Sequence, residues 1–340
     1  MKEHTRAGRS RGVKTHYTFL KLPTGSDLSR RRLPLMSAIG PQLGPVIWLT
    51  ACSHGNEVGG IVVIQEVFKQ LRRRLQCGIV YAFPLMNPLG FEAVSRHIIP
   101  SQEDLNRSFP GSPTGSLGER IAHRILSTIL DTAPSLVLDL HNDWIRSIPY
   151  GVVDAKPGSL HSTVYDTTLS LASQLGLCLI ADTEQLSRSL SYNLLVHDIP
   201  ALTLELGESY VVNERNVACG VEAVWNMLSA FGMIRPPEPP FHYPLPAAYS
   251  QGVLLGYADK PYSSHSGIIR FLAKPGEVLS AGQPFATVLN TFGKHLETVR
   301  VPTDSLVLGH SDSSAVFPGM PIMAFGIAPH QPVSTSFIHT

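Results

Sequence analysis

Between Pro45 and Ile234 the chain alternates short apolar runs of strand length with longer segments whose apolar residues recur at helical spacing. No other feature constrains its fold as strongly. The runs "PVIWLT" (45–50), "GIVYAFPLMN" (78–87), "SLVLDLHND" (135–143), "CLIADT" (178–183) and "ALTLELGE" (201–208) read as strands. After the first of them, Val58, Ile61, Val62, Ile64, Val67, Phe68, Leu71 and Leu75 fall at helical spacing, with basic residues gathered at the C-terminal end, where a helix dipole favours cations. "SLGERIAHRILSTILD" (116–131) opens with Ser116 and, three residues on, Glu119, the pattern of a capping box. A further helix is expected near 161–176, and "VACGVEAVWNMLSAFGMI" (217–234) closes the series. Strands alternating with helices predict an α/β fold, a mostly parallel sheet with helices on both faces.

The alternation stops at "RPPEPPFHYPLP" (235–246), whose prolines favour an extended linker and forbid a continued helix. Short β-rich runs with turn signals follow, which predicts a smaller C-terminal all-β domain. The chain is therefore divided into a basic tail (1–15), the main α/β domain (16–234), a Pro-rich linker (235–249), the β domain (250–326) and a second tail (327–340). A formal charge of +1 implies neither a nucleic-acid nor a membrane partner, and no segment reaches the apolar length a bilayer requires. The N-terminal "MKEHTRAGRSRGVKT" is basic with no apolar stretch behind it, so it is not read as a secretory signal. Cys52, Cys77, Cys178 and Cys219 form no C-x-x-C pair and read as core residues of a reducing compartment. A cytoplasmic protein is expected, with homo-oligomerisation left open.

The chemistry gathers at strand ends. In "TACSHGNEVGG" (50–60), His54 and Glu57 stand three apart in a glycine-bounded turn that follows a strand and precedes a helix, a position at the carboxyl edge of a sheet. His141 ends "LVLDL" in the same way. Two histidines and one glutamate are zinc ligands that leave the fourth tetrahedral position for water, as at a catalytic zinc. Each piece alone is weak: H-x-x-E occurs by chance, and Asp139 and Asn142 beside His141 could equally cap a turn. Repetition of polar groups at successive strand ends is what favours a site.

The combination of "HGNE" (54–57), "DLNRSFPG" (104–111), "DLHND" (139–143) and "LELGE" (204–208) resembles the succinylglutamate desuccinylase/aspartoacylase family of zinc carboxypeptidase-like amidohydrolases. The resemblance runs through about residues 35–231, and the β-rich tail is similar to the second domain of longer members, including N-acetyl-diaminobutyrate deacetylases. It implies that His54, Glu57 and His141 hold one zinc ion per chain, that Asn106 and Arg107 bind a substrate carboxylate, and that Glu205 handles the proton. Arg96 lies near the arginine that polarises the scissile carbonyl, at a longer spacing from Asn106 than in aspartoacylase.

Independent physical arguments agree with these roles. An arginine fork binds a carboxylate through two parallel charge-assisted hydrogen bonds, which suits Arg107 to anchoring; its bland alternative is a surface ion pair with Asp104 or Glu103. In "ALTLELGE", Leu202, Leu204 and Leu206 share one face of the strand, and Thr203 and Glu205 the other. An ionisable group in a sheet covered on both faces needs a partner or a purpose, and Glu208 is the competing candidate for the base. The β domain also resembles a biotinyl/lipoyl carrier, but its turn "NTFGKHLE" lacks Met-Lys-Met, so Lys294 reads as an ordinary exposed lysine and the domain as a cover for the active-site entrance.

The reading is a zinc-dependent amidohydrolase, a deacylase of a small N-acyl amino acid or related carboxylate. Its rivals are a metallocarboxypeptidase acting on peptides and a non-catalytic ligand-binding relative.

Overall fold

The structure, a computed structural model, describes residues 12–158, 162–182, 186–250, 252–310 and 313–329. Most of the expected tails, 1–15 and 327–340, lies outside these residues. The chain opens with an antiparallel hairpin, β1 (Lys14–Lys21) and β2 (Arg32–Ile39), and continues into β3 (Gln42–Ala51), α1 (Gly59–Arg74), β4 (Cys77–Phe83) and the single-turn α2 (Pro88–Glu92). Then come α3 (Leu117–Leu130), β5 (Leu136–His141), β6 (Arg146–Ser147), β7 (Tyr150–Val153), α4 (Ser162–Ala172), β8 (Cys178–Ala181), α5 (Leu190–Val196), β9 (Ala201–Glu205) and α6 (Glu214–Ala230).

The five expected strands are β3, β4, β5, β8 and β9, and each expected helix is present. Helix α3 begins as its sequence dictates: Ser116 Oγ accepts from Glu119 N at 3.2 Å, while Glu119 Oε2 accepts from Ser116 N at 3.0 Å. Several elements carry no clear sequence signal. Strand β1 is exposed on both faces, with Tyr17 and Phe19 in solvent, so no period-two burial marks it. Strands β6 and β7 and helix α5 are too short for periodicity to show.

The centre of the large sheet is parallel, as predicted: β4, β3, β5 and β9 lie side by side. Strand β7 then enters antiparallel to β9, and β8 runs parallel to β7. Beyond the linker, β10 (Leu254–Ala258), β11 (Gly267–Phe271), β12 (Val278–Leu279), β13 (Pro284–Leu289), β14 (His295–Arg300), β15 (Ser305–His310), β16 (Ala315–Val316) and β17 (Met323–Ile327) form two groups. Strands β14-β13-β11-β16 make a separate antiparallel sheet, whereas β10, β17, β15 and β12 extend the large one beyond β8. Between the small sheet and the β12-β15-β17 end lies a core of its own, with Ile269, Phe285, Val288, Val299, Val307 and Phe325 buried in it.

Burial follows the strand alternation. Leu202, Leu204 and Leu206 pack with Leu138, Leu140, Val63 and Val67 in one core, and Trp48, Phe83, Ile125 and Ile129 pack in a second, on the other side of the sheet. At roughly 1.5–3 kcal/mol for each fully buried large aliphatic side chain, this packing dominates the stability of the parallel centre. Cys52 and Cys178 are core residues, with burial pushing both thiols up to about 12, while Cys77 and Cys219 are only half-buried. Among the described residues no helix is long and apolar enough to cross a membrane.

Candidate active site

Strand β3 delivers the first two residues. At its end Cys52 takes a left-handed backbone with φ 57°, which turns the chain sharply toward α1. Glycine is required at position 55 because a Cβ there would lie 1.9 Å from the Gly90 carbonyl carbon. The turn is closed by Glu57 N donating to His54 O at 3.1 Å. Strand β5 delivers His141, held beside β3 by the register Thr50↔Asp139 and Ala51↔Leu140.

The three side chains converge. His54 Nδ1 is 2.6 Å from Glu57 Oε1 and His141 Nδ1 is 2.9 Å from Glu57 Oε2, all in buried positions. On the outer side of each ring, His54 Nε2 meets Asp104 Oδ1 at 3.1 Å and His141 Nε2 meets Asp139 Oδ2 at 2.9 Å. An ionised carboxylate only accepts, and each ring has a carboxylate at both nitrogens, so whichever ring nitrogen carries no proton turns its lone pair toward a carboxylate oxygen. Lone pairs facing carboxylate oxygens at these distances need a cation or extra protons between them. Glu57, Asp104 and Asp139 around two imidazoles also leave the cluster negative. The donor atoms of His54, Glu57 and His141 lie within 4.8 Å of one another, and the set fits a metal ion.

The electrostatics follow from this packing. Burial opposes the charge on Glu57, but His54 and His141 outweigh it and hold the carboxyl well below the usual range. Asp104 is likewise held down against burial by His54, Arg96 and Arg107. Burial also disfavours imidazolium at His141, yet Asp139 and Glu57 raise it well above the ordinary value.

Glu205 ends β9 directly beside His141, through the pair His141↔Glu205. Its Oε2 is buried with no hydrogen-bond partner among the described residues. Burial, reinforced by Asp143, pushes this carboxyl well above the usual range, while His141 pulls the other way. Glu208 points elsewhere: it accepts from Asn213 Nδ2 and does not line the cavity that holds the triad.

That cavity, of about 210 Å³, is lined by the triad, Glu205, Arg96, Asn106 and Arg107, and continues to Asp154, Asp182 and Ser191. The long segment between α2 and α3 brings in the first of these loop residues. Asp104 caps a 3-10 turn at Leu105–Arg107 by accepting from Asn106 N at 2.8 Å, and Asn106 Oδ1 accepts from Leu190 N at 3.0 Å. Arg107 is exposed and donates to Asn106 O at 2.9 Å; it forms no ion pair with Asp104 or Glu103 within 4.0 Å. The ion pair belongs instead to Arg96, whose Nε and Nη2 reach Asp104 Oδ2 at 3.0 and 2.9 Å, with Nη1 3.9 Å from Glu57 Oε1.

Several residues of the site were not assigned from the sequence. Asp139, for which the sequence leaves a turn cap as an equal alternative, braces His141 and also accepts from Thr50 Oγ1 at 2.7 Å. Its signal was legible, since residues two apart on a strand share a face. Asn142 donates its backbone N–H to Glu57 Oε2 at 3.1 Å and accepts from Gly59 N at 3.1 Å, tying the β5 end to the start of α1. Tyr150, opposite Glu205 on β7, donates its hydroxyl to Asp143. Asp104 and Tyr150 reach the site across loops and a strand pairing that no local pattern reveals.

Comparison with known proteins supplies the family. The sequence profile of the succinylglutamate desuccinylase/aspartoacylase catalytic domain matches residues 43–231. The chain belongs to this family. Among family relatives, N-alpha-acetyl-L-2,4-diaminobutyric acid deacetylase of Halomonas elongata is 26% identical over 302 residues, covering 79% of this chain and 78% of that protein. A succinylglutamate desuccinylase crystal structure from a Silicibacter species superposes with a TM-score of 0.76 at 20% identity, covering 97% of this chain and all (100%) of that one. The family fold extends to a metallo-carboxypeptidase of Burkholderia cenocepacia, with a TM-score of 0.51 at 15% identity over 63% of each chain. The desuccinylase/aspartoacylase profile covers β3 through α6, the part that carries the triad and Glu205.

Proposed function

We propose that the protein is a zinc-dependent deacylase that hydrolyses the amide bond of a small N-acyl amino acid, with one zinc held by His54, Glu57 and His141. The observation that carries this reading is the convergence of those three donors in one cavity with the unpartnered Glu205 Oε2. Bound zinc would supply Lewis acidity toward the amide carbonyl and lower the pKa of water toward about 7. Glu205 accepts the proton of the attacking water and returns it to the leaving nitrogen. Arg107 and Asn106 orient the substrate carboxylate, and Arg96 at the rim, steadied by Asp104, turns a cation toward the developing oxyanion. Asp139 and Asp104 fix the two imidazole rings, as outer carboxylates do around metal-binding histidines.

Three observations support the details. A cavity of about 210 Å³ suits a small molecule better than a peptide, being below the roughly 300–1,000 Å³ of pockets for drug-sized ligands. The four free cysteines fit a reducing, cytoplasmic setting. The division of the chain at the Pro-rich linker belongs to the same proposal, with the β domain shaping the entrance: β15 pairs with β6 through Gly309↔Ser147 and His310↔Arg146, just after the loop that follows His141.

The test is metal analysis together with amine release from a panel of N-acyl amino acids. About one zinc per chain and turnover of at least one N-acyl amino acid are expected, and His54→Ala and His141→Ala should each lose the metal. A protein that keeps its metal in both variants, or that turns over C-terminal peptides and no N-acyl amino acid, overturns the reading.

A further inference from the structure

A second cavity, of about 490 Å³, lies where the β domain meets the strand that follows the His141 loop. Among its lining residues are Arg146 from β6, Arg270 and Phe271 from β11, Lys274 from the turn after β11, His310 from the end of β15, and Ser314. Backbone pairing and ring packing fix the floor. Strand β6 joins β15 through His310↔Arg146, the Phe271 ring stacks on His310 with centroids 4.0 Å apart, and Ile269 N donates to Ser314 O at 2.8 Å.

Arg146, Arg270 and Lys274 are exposed, and among the described residues none of the three makes a side-chain hydrogen bond or an ion pair. No acid is found among the described residues that line the cavity. Glu277, three residues past Lys274, turns its carboxylate to the Lys274 backbone N–H at 3.1 Å. The rest of the surface supplies a contrast. Arg73, Arg74 and Arg235 line another hollow, but they share it with Glu222 and Glu238. Arg30, Arg31 and Arg32 line a third, together with Asp27 and Glu92. Only in the cavity at Arg270 do three cations converge without an acid among the described lining. Like charges in one concave space repel, and the protein wall focuses their field into it, so an entering anion relieves the repulsion.

We propose that this cavity binds a phosphate group, free or carried by a small soluble molecule. The forks of Arg146 and Arg270 offer paired N–H donors, Lys274 adds a point charge, and the Ser314 hydroxyl adds a further donor. A dianion with three open oxygens matches cations arriving from three segments better than a flat carboxylate, which one fork already fills. The volume falls within the roughly 300–1,000 Å³ of small-molecule sites, which leaves room for an organic carrier beside the phosphate. Its occupant joins Arg146 of the main domain to Arg270 and Lys274 of the β domain, fastening the two together. This cavity shares no lining residue with the catalytic one, so the proposal does not depend on the deacylase reading.

The experiment titrates the purified full-length chain with inorganic phosphate and with glycerol 3-phosphate by calorimetry, at an ionic strength held constant with sodium chloride; glycerol is the uncharged control. Saturable binding is expected, and Arg146→Gln, Arg270→Gln and Lys274→Gln should each weaken it roughly tenfold, the scale of one charge-assisted hydrogen bond. Arg73→Gln, in a hollow that holds acids, should bind as wild type. Tighter binding of the ester than of the free ion assigns the site to a phosphate carrier, and equal binding assigns it to the ion itself. Thermal unfolding identifies any variant that fails to fold, and the remaining substitutions then decide. Absence of saturable binding by wild type overturns the site. So does binding that the folded variants retain in full, including the case in which Arg107→Lys alone abolishes it and places the phosphate at the catalytic centre.

Discussion

His141 and Glu205 stand directly opposite each other at the carboxyl ends of the parallel strands β5 and β9. The backbone holds them there, since Leu206 N donates to His141 O at 2.9 Å just past the pair. A slip of one residue in this register would turn Glu205 into the core and bring Leu204 or Leu206 to the cavity. The buried leucines of β9 therefore fix the position of the acid as firmly as they fix the strand. Tyr150 on β7, which faces Glu205 from the other side, completes a row across three neighbouring strands.

Glu205→Gln is expected to leave the fold and metal content unchanged and to lower kcat by about 10²- to 10⁴-fold, because the amide has the same shape but cannot accept the proton. Glu208→Gln, outside the cavity, should retain most turnover. Steady-state kinetics on both variants decide between the two acids; normal turnover by Glu205→Gln would remove it from the mechanism.

Asp139→Asn should loosen the metal without removing a ligand. The carboxylate orients His141 through Nε2 and is itself held by Thr50, and loss of such an outer partner typically lowers metal affinity roughly 10- to 100-fold. Competition against a chelator measures this directly, and an unchanged affinity would show that His141 is positioned by its strand alone.

Arg107→Lys is expected to raise KM roughly tenfold or more for a carboxylate substrate, because a point charge replaces a bidentate fork. The methyl amide of the same substrate should be poor for wild type and no worse for the variant. Equal wild-type kinetics on the acid and its amide would mean that Arg107 anchors something else.

The Asp154 carboxyl, at about 7 in the fold and near 4 in an unfolded chain, couples stability to pH. Between those values the unfolded chain has released a proton that the native protein still holds, so stability is full below about pH 4 and falls as pH rises to about 7. It is flat above. Asp154→Asn removes this loss, which is on the order of a few kcal/mol at most, and should melt above wild type at pH 8 with little difference at pH 4. Thermal melts across that range test the sign; a variant less stable than wild type at pH 8 would show that Asp154 already has a cationic partner.

The parallel centre was legible because its signals are local. Alternating leucines mark the buried face of β9, helical spacing marks α1, and Ser116 with Glu119 marks the start of α3. The triad was legible for the same reason: His54, Glu57 and His141 sit where apolar strands run out, and strand ends of a parallel sheet share one edge. Strand β1 was not, since both its faces meet solvent, nor was the way β10, β17, β15 and β12 prolong the large sheet, which depends on pairings between distant segments.

By itself, then, the sequence determined the α/β class, the order of the central elements and the residues that can bind a metal, because each depends on side-chain periodicity over a few residues. Only the tertiary structure decided that Asp104 stands behind His54, that Arg96 and not Arg107 pairs with Asp104, and that Asp154 and Asp182 meet at the far end of the cavity. His54 and Asp104 lie 50 residues apart and Asp154 and Asp182 follow different strands, while Arg96 and Asp104 are brought together by an irregular loop. Their energies appear only when strand register and loop closure have brought the charges into a common low-dielectric space, where a few ångströms decide which pairs form.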